Sequence, residues 1–238
     1  MKTSIIFIHG FRGSSLGMEQ VANCFDSKKY NIYVPDIPPA GDESLAEYSP
    51  RFYARFLARY IKDNEIKKPI LVGHSMGSII AAIMAERYPD LINKKLILMS
   101  PISARTSKFF RMIAPLSVLL SNKTISYITT KFLFIPKNKQ LFKETVLLVK
   151  HCGANYVSRF DVFKAARFST EYSISDFSFD KDVCIIAGDK DRLMPHKKTD
   201  LLASNLGTKA IYIEGAGHLI NYETPEQVAK HIKNFLKA

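Results

Sequence analysis

A serine side chain becomes a nucleophile only when a base takes its proton and a third group holds that base in place. Three stretches of this 238-residue chain carry residues of those types in a usable order. Gly73-His74-Ser75-Met76-Gly77 places a serine between two small residues, the G-x-S-x-G pattern. Gly188-Asp189-Lys190-Asp191 offers a carboxylate, and Gly215-Ala216-Gly217-His218 offers an imidazole on a glycine-bearing loop. A fourth stretch, His9-Gly10-Phe11-Arg12-Gly13, lies near the start. Taken singly each has a plain structural account: a turn opening a helix, a surface charge, a helix-cap histidine, a strand-ending turn. Together, and in the order serine, acid, histidine, they point to acyl transfer.

Such residues need a frame that brings distant segments to one place. Short apolar runs recur at Ile5–Ile8, Ile32–Val34, Ile70–Val72, Leu96–Met99, Val183–Ala187 and Ala210–Ile213. They lack the alternation of a half-exposed strand, so they predict strands of a parallel sheet covered on both faces. Between them, Leu16–Phe25, Pro50–Lys62, Met76–Arg87, Lys197–Leu206 and Pro225–Leu236 have helical periodicity. The alternation predicts an α/β fold: a doubly wound, mostly parallel six-stranded sheet flanked by helices. Each chemical stretch then falls at a strand's carboxyl end. The sharp turn from the strand ending at Val72 into the following helix would strain the serine's backbone. It would also leave helix N-terminal amides beneath it. The backbone N–H groups of Phe11 and Met76 are the expected oxyanion donors.

From about Ser103 to Ser175 no strand is evident, and helix-like segments rich in Phe, Leu, Ile and Lys follow one another. We read residues 103–175 as a helical cap inserted into a core made of residues 1–102 and 176–238. Between Arg105 and Lys150 lie Arg105, Lys108, Arg111, Lys123, Lys131, Lys137, Lys139, Lys143 and Lys150, against one acid, Glu144. That segment supplies +8 of the formal net charge of +12. Phe109, Phe110, Met112, Ile113, Leu116, Leu119, Leu120, Phe132, Leu133, Phe134 and Phe142 are interleaved with these charges. Amphipathic helices that bury one face and solvate their lysines would look the same. A lipophilic acyl pocket with a basic rim is the functional alternative, and it would suit contact with anionic membrane surfaces. The basic residues accompany aliphatic bulk more than aromatic platforms, so nucleic acid is not an expected partner.

Composition narrows the setting. An apolar fraction of 47% and a charged fraction of 24% argue for a buried core and against wholesale disorder. Cys24, Cys152 and Cys184 are odd in number and without metal-ligand spacing, as expected of free thiols in a reducing compartment. The N-terminal apolar run ends at Ile8 with no small-residue cleavage site after it, unlike a signal peptide. Lys123 and Lys131 interrupt the run from Met112 to Ile135, which makes it a poor membrane span. A cytoplasmic location is expected by elimination.

On His9-Gly10-Phe11, Gly73-His74-Ser75-Met76-Gly77, Gly188 through Asp191, and Gly217-His218 with Glu223 and Pro225, the chain resembles the α/β-hydrolase superfamily over nearly its whole length. The resemblance favours Asp191 over Asp189 as the acid. It implies a catalytic triad of Ser75, Asp191 and His218 working without metal or organic cofactor. The segment from Pro35-Asp36 to Gly41-Asp42 and Ser44 looks like the loop after the second strand, altered by Pro38 and Pro39. The usual N-terminal strand pair is absent, which implies a trimmed, all-parallel sheet, and Ser78 replaces a glycine often found after the elbow.

The expected function is a serine hydrolase of the esterase or lipase kind, acting on carboxylic esters, monoacylglycerols or acyl thioesters. A carbon–carbon bond hydrolase, or a lyase of the menaquinone-pathway type, would use the same three residues, with Arg12 and the cap's basic residues available for an acidic substrate. A peptidase acting on N-terminal proline lacks an acidic cluster for the amine. A non-catalytic binding protein on this scaffold is the alternative from a different class.

Overall fold

The computed structural model describes residues 2–38, 49–104, 122–135, 139–154 and 159–237. Six runs of extended chain form one sheet: β1 (Thr3–Ile8), β2 (Tyr30–Tyr33), β3 (Ile70–His74), β4 (Lys95–Met99), β5 (Asp182–Gly188) and β6 (Ala210–Ile213). Their order is β2-β1-β3-β4-β5-β6, and every neighbouring pair is parallel. The chain winds outward from β1 to β2, then returns past β1 to β3 and continues the other way. The switch point therefore lies between the carboxyl ends of β1 and β3, where the ligand-binding crevice of such sheets opens.

Strand residues alternate between two cores, which is why the runs read as continuously apolar. Ile6, Ile8, Leu71, Leu98 and Ile185 face α2 (Pro50–Asp63), α3 (Met76–Arg87) and α7 (His196–Asn205). Ile5, Phe7, Val72, Ile97 and Ile186 face α1 (Ser15–Ala22) and α8 (Pro225–Lys237). Helix α3 is buried continuously from Met76 to Ala85, as the central helix carrying the elbow must be.

Helix α1 ends at Ala22, three residues before the limit its periodicity predicts. The amides of Cys24 and Phe25 bond to Val21 and Ala22 in tight three-residue turns. Phe25 stays apolar because it packs edge-on against Phe7 and Tyr30, not because it is helical.

Between β4 and β5 the described residues form α4 (Asn122–Leu133), α5 (Lys139–Ala154), α6 (Arg159–Glu171) and a short 3-10 turn at Ile174–Asp176. Phe134 and Val149 of this region build a small cluster with Leu219 and Tyr222. Phe168 instead joins the main core, its ring 4.5 Å from that of Tyr53. The expected cap residues Arg105, Lys108, Phe109, Phe110, Arg111, Met112, Ile113, Leu116, Leu119, Leu120 and Lys137 lie outside the described residues, as do Pro39, Gly41, Asp42 and Ser44. Among the described residues no helix is long and apolar enough to cross a membrane.

The crossing of α3 over β1 is as close as backbones allow. A Cβ on Gly77 would run into the carbonyl oxygens of Ile8 and His9. Gly77→Ala should lower stability by about 1–3 kcal/mol through overpacking, although alanine is the better helix former by about 1 kcal/mol. Urea unfolding checks this; an unchanged or raised midpoint would show that the crossing has slack.

Candidate active site

Strand β3 delivers its last residue, His74, directly to the turn, and Ser75 sits at φ 51° and ψ −117° before α3 begins. A non-glycine residue in this region is strained, and here the strain lifts the hydroxyl above the sheet. The Ser75 amide bonds to Met99 O at 3.0 Å on the neighbouring strand. Ser78, one turn into α3, donates its hydroxyl to Ser75 O and accepts the Ile102 amide at 3.2 Å. Serine in place of glycine at this position thus fastens the elbow to the chain leaving β4.

The three segments meet. The Ser75 hydroxyl donates to His218 Nε2 at 2.9 Å, and His218 Nδ1–H donates to Asp191 Oδ2 at 2.7 Å. His218 is 1% exposed and Asp191 6%, so their hydrogen bond is shielded from water. The other Asp191 oxygen accepts the amides of Leu193 and Met194 at 2.8 and 3.0 Å. Burial alone would push the Asp191 carboxyl up. The facing His218 and these two amides outweigh it and hold the group below its ordinary range. Asp189 points elsewhere and pairs with Lys190 at 3.4 Å. Glycine at 188 lets the β5 end lie close to the loop after β6, since a Cβ there would strike the carbonyls of Ala216 and Gly217.

Gly10 brings the β1 loop against the elbow, where a Cβ would lie 3.0 Å from that of Ser75. Phe11 follows it, and Met76 opens α3, so both residues assigned to the oxyanion hole border the serine in the chain or across this contact.

Two further histidines support the site, and their neighbours in the motifs were the only signal for them. His9 Nδ1–H donates to Gly10 O at 2.9 Å, and its Nε2 accepts the Ile37 amide at 2.8 Å. That pattern requires a neutral ring. It tethers the chain after β2, where Asp36 also accepts the Ser15 amide at 2.6 Å and Pro38 O accepts the Tyr53 hydroxyl at 3.1 Å. His74 Nε2–H donates to His218 O at 3.0 Å. Burial first, and then neighbouring His218, pull the His74 pKa down to about 3; burial likewise lowers that of His9. Glu223, 5% exposed, accepts amides on both sides of His218. Burial pushes its pKa up to about 7 against the pull of those amides and of His218.

The chain belongs to the alpha/beta hydrolase family, which it matches over residues 5–231. It is 25% identical to "Uncharacterized hydrolase YugF" of Bacillus subtilis, over 99% of this chain and 90% of that protein. It is 26% identical to the protein named "Putative esterase/lipase 2" of Mycoplasma pneumoniae, over 98% of this chain and 88% of the other. Among solved structures, the esterase EaEST from Exiguobacterium antarcticum superposes with a TM-score of 0.86 at 16% identity, covering 99% of this chain and 92% of that one. A thermophilic esterase from Thermogutta terrifontis gives 0.83 at 19%, covering 100% and 90%. This is therefore an α/β hydrolase with esterase- and lipase-like relatives.

The buried histidines set a pH dependence. An unfolded chain protonates each imidazole near the ordinary 6.5, while folded His74 stays neutral down to about 3. The unfolded state thus binds more protons in that interval, and stability falls as pH drops through it. Glu223 works in the opposite sense between its ordinary 4.5 and about 7, where the folded state holds the extra proton. His74→Gln should therefore reduce the slope of unfolding free energy against pH by nearly one proton, about 1.4 kcal/mol per pH unit between pH 6 and 4. Urea unfolding at successive pH values measures it, and equal slopes for variant and wild type would contradict a neutral buried His74.

Proposed function

We propose that the protein is a serine hydrolase that cleaves carboxylic esters or acyl thioesters through an acyl-enzyme. The observation that carries this reading is the continuous relay from the Ser75 hydroxyl through His218 to Asp191. With Nδ1–H committed to Asp191, His218 presents an unprotonated Nε2 to the serine. It accepts the hydroxyl proton as Ser75 Oγ bonds to the substrate carbonyl carbon. Asp191 stabilises the imidazolium that forms. The amides of Phe11 and Met76 receive the developing oxyanion, a single such donor being worth about 3–4 kcal/mol. The imidazolium then protonates the departing alcohol or thiol. Water, deprotonated by the same nitrogen, attacks the acyl-enzyme and releases the acid and free Ser75. Buried neutral His9 and His74 add no competing charge around the serine.

Wild type should hydrolyse p-nitrophenyl acyl esters and react covalently with a fluorophosphonate. Ser75→Ala should lose the labelling and at least about a thousandfold in kcat. Equal labelling of both proteins would remove the catalytic reading, and turnover of a vinylogous diketone without ester turnover would move it to carbon–carbon cleavage.

The substrate setting we infer is an anionic lipid surface. Helix α4 exposes Tyr127, Ile128 and Phe132, each 46–48% accessible, on a side that also carries exposed Lys123 and Lys131. Basic residues next to exposed apolar ones suit an interface where lysines meet phosphates and rings enter the acyl boundary. The protein should co-sediment with phosphatidylglycerol vesicles at low salt and not with phosphatidylcholine vesicles. The double variant Lys123→Glu, Lys131→Glu should bind at least about tenfold more weakly. Equal affinity for both vesicle types, or none for either, would refute this surface.

A further inference from the structure

Four backbone polar groups in the His218 loop have partners that fix it, and two of those partners come from outside the loop. The Gly217 and Leu219 amides, on either side of the histidine, donate to Glu223 Oε2 at 2.7 Å and Oε1 at 3.1 Å. The His218 carbonyl accepts from His74 at 3.0 Å. The His218 amide donates to Leu133 O at 2.7 Å, at the last residue of α4. Glu223 completes the circuit, since its Oε2 also accepts the Ile135 amide at 3.1 Å. One carboxylate thus bonds the loop before the histidine, the loop after it, and a segment 88 positions away. Packing agrees with the polar contacts. A Cβ on Gly217 would fall 2.5 Å from Leu133 O and 3.0 Å from Ile135 Cγ1, so loop and segment touch with no room between them. Phe134 is 1% exposed, packed with Leu219 and Tyr222.

We propose that Glu223 is a positioning residue that latches the Leu133–Ile135 segment to the His218 loop, so that the aim of His218 at Ser75 depends on that segment being seated. The proposal rests on His218 being the base of the reaction. The carboxylate touches no reacting atom; it acts by holding backbone amides whose release would let the imidazole leave the Ser75 line. A misplacement of about 1 Å at a reacting group costs on the order of a hundredfold in rate. Because the latch includes the exit of α4, movement of the α4 surface away from the core would withdraw His218 support. In this arrangement the segment packed on the His218 loop is a member of the catalytic geometry instead of an independent lid.

The test compares wild type, Glu223→Gln and Glu223→Ala, with kcat expressed per Ser75 titrated by a fluorophosphonate. Glutamine keeps one accepting oxygen but turns its NH2 toward amide donors, so it should restore only part of what alanine loses. We expect kcat per titrated site to fall about ten- to a hundredfold in the alanine variant and less in glutamine. KM should change less than about twofold, whereas a loss of folded protein alone would reduce the number of titrated sites and leave kcat per site unchanged. Unchanged kcat per titrated site in both variants overturns the proposal. Hydrogen exchange on wild type tests the latch without any substitution. The Ile135 amide should be protected like those of Gly217 and Leu219, and exchange at the rate of an open loop amide overturns the link to α4. Failure of the triad itself is read separately, as Ser75→Ala retaining full hydrolysis.

Discussion

Ser75 holds φ at 51° and ψ at −117°, and a non-glycine residue kept in such a region costs about 1–3 kcal/mol. The surroundings leave it no alternative. Its amide is fixed to Met99 O and its carbonyl receives both the amide and the hydroxyl of Ser78. Glycines at 73 and 77 let the turn close, since a Cβ on Gly73 would meet Gly77 O and one on Gly77 would meet Ile8 O. The strain is thus distributed over β1, β3, β4 and α3, all of them largely buried. The order of strands puts β1 beside β3 and β4 beside β5, so the elbow, the β1 loop and the acid turn share one edge. Relaxing the serine would mean separating strands.

The remaining component, His218, is on a loop, and loops are the segments proteins hold least firmly. Here the difficulty is met by polar satisfaction. Both amides beside it are tied by Glu223, its carbonyl by His74, and its ring by Asp191 and Ser75. Asp191 is itself held by two amides of its own turn. A buried carboxylate with several amide donors is rigid as long as all of them stay in place. The arrangement trades the firmness of a strand for that of a closed hydrogen-bond circuit.

How much of this could be read from residues alone follows the distance over which each feature is determined. The elbow was legible because strand, turn and helix are contiguous. The six strands were legible because burial on both faces leaves unbroken apolar runs. The end of α1 was overrun because Phe25 is apolar for the sake of Phe7 and Tyr30, a contact that periodicity cannot distinguish from a helical face. The preference for Asp191 over Asp189 came from resemblance, and its physical basis is the pair of amides at Leu193 and Met194 that only this side chain reaches. Glu223 was visible as a recurrent letter but not as a contact, since its partner at Ile135 lies far off in the chain.

The histidines at positions 9 and 74 show why a motif's neighbouring letters carry physical content. A buried imidazole with one donor and one acceptor site can bridge two backbone groups while remaining neutral. His9 does this between Gly10 O and the Ile37 amide, and His74 spends its N–H on His218 O. Lysine in either place would bring a charge that burial disfavours, and an aliphatic residue would leave the Ile37 amide or the His218 carbonyl without its partner. Neutrality also matters to the chemistry. Among the described residues, the one imidazole whose ring bonds both a hydroxyl and a carboxylate is His218. If a positive charge sat on His74, with its ring 5.4 Å away, it would oppose the imidazolium that the proposed mechanism forms on His218. In the proposed mechanism, two uncharged histidines therefore leave the transient positive charge to His218, where the Asp191 carboxylate stands beside it to stabilise it.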